Sequence, residues 1–394
     1  MKTLKLAIKL AFKNLIGAGL RTWLNVVVLS FSFVIIIAAK GILVGWDRQA
    51  KNDMTDWEIG GGQYWNENYD PYDAFTLTDA HAPVPEEFAE EISKGNMVPV
   101  LITQGTIYPS GRIQSILIKG INPGQSLLEL PTHYLDTITD GIPAIIGNNM
   151  ARSTNLALGD YVTIRWRDSN GTFDAAEIII VGIFSTNVPT VDAGQIWIPL
   201  DRLQSLVLMP DEATIITFRE NATGGVEIGN WKLMTFNTLV SEIEEMIKTK
   251  SVGQSIFYSI LLILALLAIF DTQVLSIFRR QKEIGTYVAL GYTRREVVFL
   301  FTVEGAMYAI LAALAGAIYG IPFLIWFANK GISLGLSSAD YGFAIAETMY
   351  PVYSGSLIVG TTIVVLLATT FVSYWPSRKI AKMNPTEALR GKIQ

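Results

Sequence analysis

The 394-residue sequence contains no cysteine and only two histidines, His81 and His133. Without cysteine there is no disulfide bond, no thiolate nucleophile, no cysteine metal ligand and no lipid attached through cysteine. The two histidines stand in unrelated surroundings, and we expect neither to bind a metal. The sequence also lacks the HExxH and GxxxxGK[ST] motifs. We therefore predict no catalytic residue, no metal site and no cofactor, and any nucleotide-derived energy must come from a partner.

Charged residues are scarce as well, at 16% of the chain, whereas soluble domains carry about 25%. The shortage comes from four long apolar stretches, at residues 24–46, 253–278, 297–327 and 354–375. About 20 helical residues cross the ~30 Å hydrocarbon core of a bilayer. The sequence therefore predicts four transmembrane helices, and the first is longer than the apolar part of a cleaved signal peptide.

The basic residues are sharply segregated along the chain. Residues 1–23, 279–296 and 376–394 together hold fifteen of the thirty Lys and Arg residues, whereas residues 47–252 hold thirteen basic and twenty-eight acidic residues. The positive-inside rule places both termini and the 279–296 loop in the cytoplasm. Residues 47–252 and the 328–353 loop are then outside. We expect a multi-pass protein of the cell inner (plasma) membrane.

Four lysines of the first segment recur at helical spacing, at Lys2, Lys5, Lys9 and Lys13. This spacing places them on one stripe of a helix. The favoured interpretation is an amphipathic cytoplasmic helix that contacts anionic membrane lipid. A cytoplasmic start of the first spanning helix is the alternative.

The large segment between the first two spans has the pattern of an α+β domain. Short apolar runs separated by turn residues predict strands, at residues 98–107, 113–121, 161–165, 177–184, 196–198 and 214–218. Longer periodic runs predict helices at residues 144–158, 200–208 and 238–250. We expect the last helix to run toward the second span, with Gly253 as a joint.

Three ionisable residues fall inside the apolar stretches: Lys40, Asp271 and Glu304. An intramembrane charge costs about 2.5–3.5 kcal/mol and marks a functional candidate. Asp271 could pair with Lys40 or Arg21, or only satisfy a hydrogen bond between helices. The Gly316-xxx-Gly320 spacing in the third span indicates close helix packing.

The 279–296 loop contains a short amphipathic segment that ends at Gly291. Ile284, Tyr287, Val288 and Leu290 would form one apolar face, which suits docking into a cytoplasmic partner. A positively charged loop that contacts only lipid headgroups is an equally good interpretation of the residues alone.

Three segments resemble the FtsX-like permeases of the MacB and lipoprotein-releasing (LolC/LolE) class of ABC transporters. The first is the loop from Arg279 to Gly291, with its Glu-Ile-Gly and Ala-Leu-Gly steps and the later Glu304. The second is the tail from Pro376 to Arg390, and the third comprises residues 12–15 and 20–24. Weaker similarity in residues 118–184 extends the resemblance to a MacB-like periplasmic core domain.

This resemblance implies one spanning helix, an outer domain and three more helices. It also implies a coupling helix that contacts a separate cytoplasmic ABC ATPase, formed by Lys282, Glu283, Ile284, Gly285, Tyr287, Val288, Ala289, Leu290 and Gly291. The expected partners are that ATPase, a second permease copy or sister permease, membrane lipid and a periplasmic or outer-face protein, with no nucleic acid.

The function implied is mechanotransmission, in which ATP hydrolysis in the ATPase moves the outer domain for lipoprotein release or export. The alternative is a non-transporting relay that regulates a peptidoglycan enzyme. The chain departs from the family at Asp271-Thr272, where Asn-Thr is usual, and residues 46–73 match no family pattern.

Overall fold

The computed structural model describes residues 14, 19–220, 227–333 and 348–382. The chain divides into two compact units. One comprises Met1–Gly45, Ile247–Ile332 and Tyr350–Gln394, and the other comprises Trp46–Met246 and Ser333–Met349. Within the described residues, four helices are long and apolar enough to cross a membrane. The predicted fold class, four spanning helices and a large α+β domain after the first, is confirmed. The predicted amino-terminal lysine helix lies outside the described residues, except for residue 14.

The first spanning helix, α1, covers Leu20–Met54 and continues into a π-helical turn at Thr55–Ile59. It therefore extends well past the apolar stretch. An ion pair between Lys51 Nζ and Asp47 Oδ1, 3.2 Å apart, joins adjacent turns of this polar extension. Such i,i+4 pairs stabilise helices. Gly60, with a φ of 57°, ends the helix.

The second spanning helix, α6, is a single 44-residue helix from Phe236 to Arg279. It joins the predicted 238–250 helix to the second apolar stretch without interruption, so the expected joint at Gly253 was wrong. One glycine costs a helix only about 1 kcal/mol relative to alanine. That cost alone does not break a helix of 44 residues.

The third and fourth spanning helices are α8, Arg294–Lys330, and α9, Gly355–Ser377. Each begins at a hydroxyl cap, Thr293 and Ser354 respectively, which bonds an otherwise unpaired backbone N–H. A 3₁₀ turn at Arg378–Lys382 follows α9. All four spanning helices contribute to one apolar core, which includes Leu29, Ile269, Met307 and Val365.

A nine-stranded sheet forms the centre of the other unit, with the strand order β11-β1-β10-β3-β4-β8-β5-β7-β6. Its strands are β1 Gly62–Asn66, β3 Met97–Ile107, β4 Gln114–Ile121, β5 Ile142–Gly147, β6 Tyr161–Arg167, β7 Phe173–Phe184, β8 Gln195–Pro199, β10 Ile215–Phe218 and β11 Trp231–Thr235. Two-residue strands form two minor sheets: β2 Ala82–Pro83 with β9 Glu212–Ala213, and β12 Ile332–Ser333 with β13 Thr348–Met349. Because β6 also pairs with β3, six of the strands close into a ring.

The ring encloses a core to which all six of its strands contribute, and Trp166 is its largest buried side chain. The short helices of the unit that contains the sheet are α2 Ala89–Ser93, α3 Asn148–Thr154, α4 Pro189–Asp192 and α5 Leu200–Val207. Helices α3 and α5 add Met150, Leu203 and Val207 to the core. The predicted strands at 98–107, 113–121, 161–165, 177–184, 196–198 and 214–218 are present with small shifts. The predicted helix at 144–158 was partly wrong, since residues up to Gly147 form β5 and only Asn148–Thr154 is helical.

Candidate functional site

A short helix, α7, connects the second and third spans within the predicted coupling loop. It covers Gln281–Ala289, one residue after the end of α6. Gly291 has a φ of 95°, which a residue with a side chain rarely adopts, and this turn reverses the chain into α8. A capping box begins α8, in which the Thr293 hydroxyl accepts from the Glu296 N–H and the Glu296 carboxylate accepts from the Thr293 N–H.

The apolar face of α7 packs against its own chain. Ile284 is buried in a cluster with Ile277, Val297, Phe301 and Ile380. Tyr287 and Val288 are half-buried against the same cluster. The start of α8 and the turn after α9 cover Ile284 and partly cover Tyr287 and Val288, so the docking role of these side chains stays a prediction. Gly285 is buried too.

The exposed surface of this region comprises one side of α7 and the turn that follows it. The most exposed large apolar side chain there is Leu290, which follows the last residue of α7 and is 72% exposed. The other exposed residues of the predicted coupling set are Lys282, Glu283, Ala289 and Gly291, and Thr286 between them is also exposed. Among the coupling residues predicted from sequence, these are the ones positioned to contact another protein.

Arg280 holds α7 to the third span through a branched ion pair. Its Nη1 atom donates to both carboxylate oxygens of Glu304, each at 2.9 Å, and its Nε donates to Glu283 Oε2 at 2.7 Å. The guanidinium also lies over the ring of Phe301, 4.8 Å from its centroid. Burial alone would lower the pKa of Arg280, but Glu304 and Glu283 raise it on balance, so the guanidinium stays charged.

Glu304 is therefore the buried partner of this cation. The residue is 5% exposed, and Asn14 Nδ2 donates a further hydrogen bond to its Oε2 at 3.1 Å. Burial of a carboxylate costs its hydration energy, and the ion pair and hydrogen bonds offset that cost. Arg280 was missing from the sequence-based site set. The signal was present, however, because an acid near a span end needs a cation and the basic pair lies 24 residues earlier.

A second group of polar side chains lies between the spanning helices. The side-chain amide of Asn25 on α1 donates to the Thr272 hydroxyl on α6. Gln273 is 1% exposed and Ser373 is fully buried, and both lie beside Gly305 of α8. A Cβ atom at Gly305 would overlap the Ser373 side chain, so glycine permits this close approach of α8 and α9.

Asp271 and Lys40 are not brought together within the chain. Both side chains are exposed. Asp271 lies at the level of the Asn25–Thr272 contact, and Lys40 is fifteen residues further along α1, a rise of ~22 Å. A lysine side chain does not span that distance, so pairing between Lys40 and Asp271 of one chain is excluded.

Gly316 and Gly320 of α8 face the first spanning helix. The backbone oxygen of Ser30 lies 3.5 Å from where a Cβ of Gly316 would stand, and a Val34 methyl lies 2.6 Å from that of Gly320. The Gly316-xxx-Gly320 pattern thus lies at a contact between helices of the same chain.

The carboxy-terminal part of the chain, residues 255–385, matches the family model described as FtsX-like permease C-terminal. This part of the chain is therefore similar to FtsX-like permeases. It includes α7, the Arg280–Glu304 pair and the last two spanning helices. The predicted resemblance to FtsX/MacB-type permeases is confirmed.

Curated relatives of the chain include macrolide export ATP-binding/permease proteins named MacB. The protein from Bordetella avium is 21% identical over 416 residues, which cover 97% of this chain and 60% of the relative. An uncharacterized ABC transporter permease of Methanocaldococcus jannaschii is 30% identical over 139 residues, 34% of this chain and 31% of the relative. The chain thus spans less than two thirds of either relative.

Among solved structures, the extracellular domain of the noncanonic ABC-type transporter YknZ from Gram-positive bacteria is similar to part of the chain. The match has a TM-score of 0.26 and 13% identity, and it covers 41% of this chain and 84% of that domain.

Proposed function

We propose that this protein is the permease subunit of an ABC-type system, in which a separate cytoplasmic ATPase moves the outer domain. The observation that carries the proposal is the geometry of α7. Its buried face and the Arg280 ion pairs fix it to the spanning helices, and Leu290 points away from the chain. A partner that pushes on this exposed surface would move α6 and α8 together, because both are joined to it.

The family match over residues 255–385 supports the same role, since this region contains α7. The MacB relatives are ATP-binding/permease proteins in name, which favours work at the expense of ATP. These relatives are named for macrolide export, and this favours export over the relay on a peptidoglycan enzyme. A second permease, identical or a sister chain, completes the proposed assembly.

Replacement of Leu290 by aspartate tests the docking surface. An apolar contact at the centre of an interface contributes about 1–2 kcal/mol, so stimulation of the partner ATPase should fall about tenfold. The measurement is ATP hydrolysis by the reconstituted complex. Since Leu290 is exposed, the variant should fold normally.

The matched control is Ile113→Asp, which places the same charge at a residue 74% exposed in the outer unit. We expect this variant to stimulate hydrolysis as the wild type does. Full stimulation in Leu290→Asp would show that α7 does not contact the ATPase.

The proposed topology places the 279–296 loop in the cytoplasm and residues 47–252 outside. Because the chain has no cysteine, a single introduced thiol reports its own location. A membrane-impermeant maleimide applied to intact cells should label Ile138→Cys, whose native side chain is fully exposed, but not Leu290→Cys. After lysis both should react. The opposite labelling pattern would invert the topology.

A further inference from the structure

The end of the first spanning helix is built into the outer unit. The unit begins at Trp46, so it includes the last turns of α1 and the π-helical turn Thr55–Ile59. The N–H of Gly60 closes this turn by donating to the carbonyl of Thr55 at 3.0 Å. Single π-helical turns are rare and often occur at functional positions. This one occurs where the helix meets the sheet.

Two carboxylates of this segment bond to the connection between β7 and β8. Asp53 Oδ2 accepts from Asn187 Nδ2 at 3.0 Å, and Glu58 Oε2 accepts from Thr190 Oγ1 at 2.7 Å. Both carboxylates are partly buried. Hydrogen bonds to charged groups are stronger than neutral ones, and partial burial of the Asp53–Asn187 bond limits the competition from water there.

An apolar contact lies between the two hydrogen bonds. The ring of Trp57 stacks on Phe184, the last residue of β7, with centroids 5.7 Å apart and an interplanar angle of 21°. Phe184 is buried, and Met54 packs against the same cluster. The backbone N–H of Glu129 also donates to the carbonyl of Asp56 at 2.7 Å. The helix end is therefore fixed on several sides.

The second spanning helix joins the same unit differently. Helix α6 follows directly from β11, which stands at one end of the strand order and pairs with β1. A hydrogen bond between the hydroxyls of Thr235 and Thr238, 2.9 Å apart, marks this junction. By contrast, β7 and β8 belong to the closed ring. The first helix therefore contacts the closed ring through the β7–β8 connection, whereas the second follows directly from the strand at one end of the sheet.

We propose that residues 184–190, the end of β7 and the first part of the β7–β8 connection, receive the movement of the first spanning helix and pass it to the six-stranded ring. Asp53, Trp57 and Glu58 are the positioning residues through which the helix acts. The inference rests on the proposed function, because ATP hydrolysis by the partner supplies the movement. It adds that the two helical connections to the outer domain are not equivalent.

The test compares two double variants in the full complex with its ATPase. Asp53→Ala/Glu58→Ala removes the two carboxylate anchors, and Thr235→Ala/Thr238→Ala removes the hydrogen bond at the other junction. Hydrogen–deuterium exchange is measured in residues 184–199, without nucleotide and with ADP–vanadate. The wild type should show a nucleotide-dependent change. In the anchor variant the nucleotide-dependent change in exchange should be about fivefold smaller, a coupling effect of ordinary size. Stimulated ATP hydrolysis should stay intact. The control should keep the change.

An equal loss in both variants, or a full response in the anchor variant, would overturn the inference. A complex in which even the wild-type chain fails to stimulate ATP hydrolysis would instead contradict the proposed function.

A reversible cross-link distinguishes the loss of this contact from poor folding of the variant. Asp53→Cys/Asn187→Cys should behave as the anchor variant when reduced, because the hydrogen bond is gone. A short thiol cross-linker should restore the nucleotide-dependent change in the same sample, and reduction should remove it again. The absence of native cysteine confines the reaction to this pair. A cross-link that leaves the response unrestored would show that the junction must open rather than hold.

Discussion

Replacing Arg280 with alanine is expected to destabilise the membrane unit by about 3–5 kcal/mol, the usual cost of removing one partner of a buried ion pair. Among the described residues, the substitution leaves the buried Glu304 carboxylate with one hydrogen bond, which comes from Asn14. It also frees α7 from the third span, so stimulation of the partner ATPase should fall as well. The measurement is the free energy of unfolding in a detergent titration.

Two further variants separate charge from geometry at this site. Arg280→Lys keeps the positive charge, but a single ammonium group does not reproduce the planar fork that bonds Glu304 and Glu283 together. Its stability should lie between those of the wild type and the alanine variant. The double variant Arg280→Met/Glu304→Gln removes both charges and should be more stable than Arg280→Ala alone. If the double variant is less stable than Arg280→Ala, the loss of the Arg280–Glu304 ion pair does not explain the destabilisation.

The spanning helices could be predicted from the sequence because each depends only on the residues of its own segment. The length of an apolar stretch and the cost of an unbonded backbone in lipid decide the outcome within each segment. The strands of the outer domain were predicted for the same reason. Their closure into a ring was not, since the pairing of β3 with β6 joins residues such as Gly105 and Trp166 that are far apart in the sequence. No local pattern encodes such a pairing.

Helix α7 shows a different limit of prediction from sequence. The periodicity of Ile284, Tyr287 and Val288 correctly indicates an amphipathic helix. It does not indicate what covers the apolar face, because residues of the same chain and of a partner give the same pattern. Here Phe301 and Ile380 cover it. The exposed candidate, Leu290, follows the last helical residue.

Glu304 and Asp271 have the same kind of side chain in similar apolar stretches, but the structure separates them. Glu304 is buried and paired with Arg280, which explains its presence without any role in chemistry. Asp271 is exposed on the surface of a spanning helix. The difference depends on which way each helix faces, and the composition of either stretch does not contain that information.

Insertion of a large side chain at Gly305 is the second change with a large expected effect. Gly305→Leu should cost about 3 kcal/mol, the upper end for overpacking, and should lower the yield of folded protein. The obstacle is the Cβ atom of Ser373 as well as its hydroxyl, and a Cβ atom moves only with its backbone. Helix α9 would therefore have to shift as a whole. The yield is measured by size-exclusion chromatography in detergent.

Gly360→Leu is the matched control, because nothing lies within 4 Å of the position that a Cβ would take at Gly360. This variant should fold as the wild type does. The double variant Gly305→Ala/Ser373→Gly tests the contact directly. Ser373→Gly removes the obstructing atoms and should restore the stability lost in Gly305→Ala. Coupling between the two substitutions would locate the cost at the α8–α9 contact. Simple addition of their effects would mean that Gly305 is required for another reason, such as the neighbouring Gln273 amide, 3.1 Å from the same Cβ position.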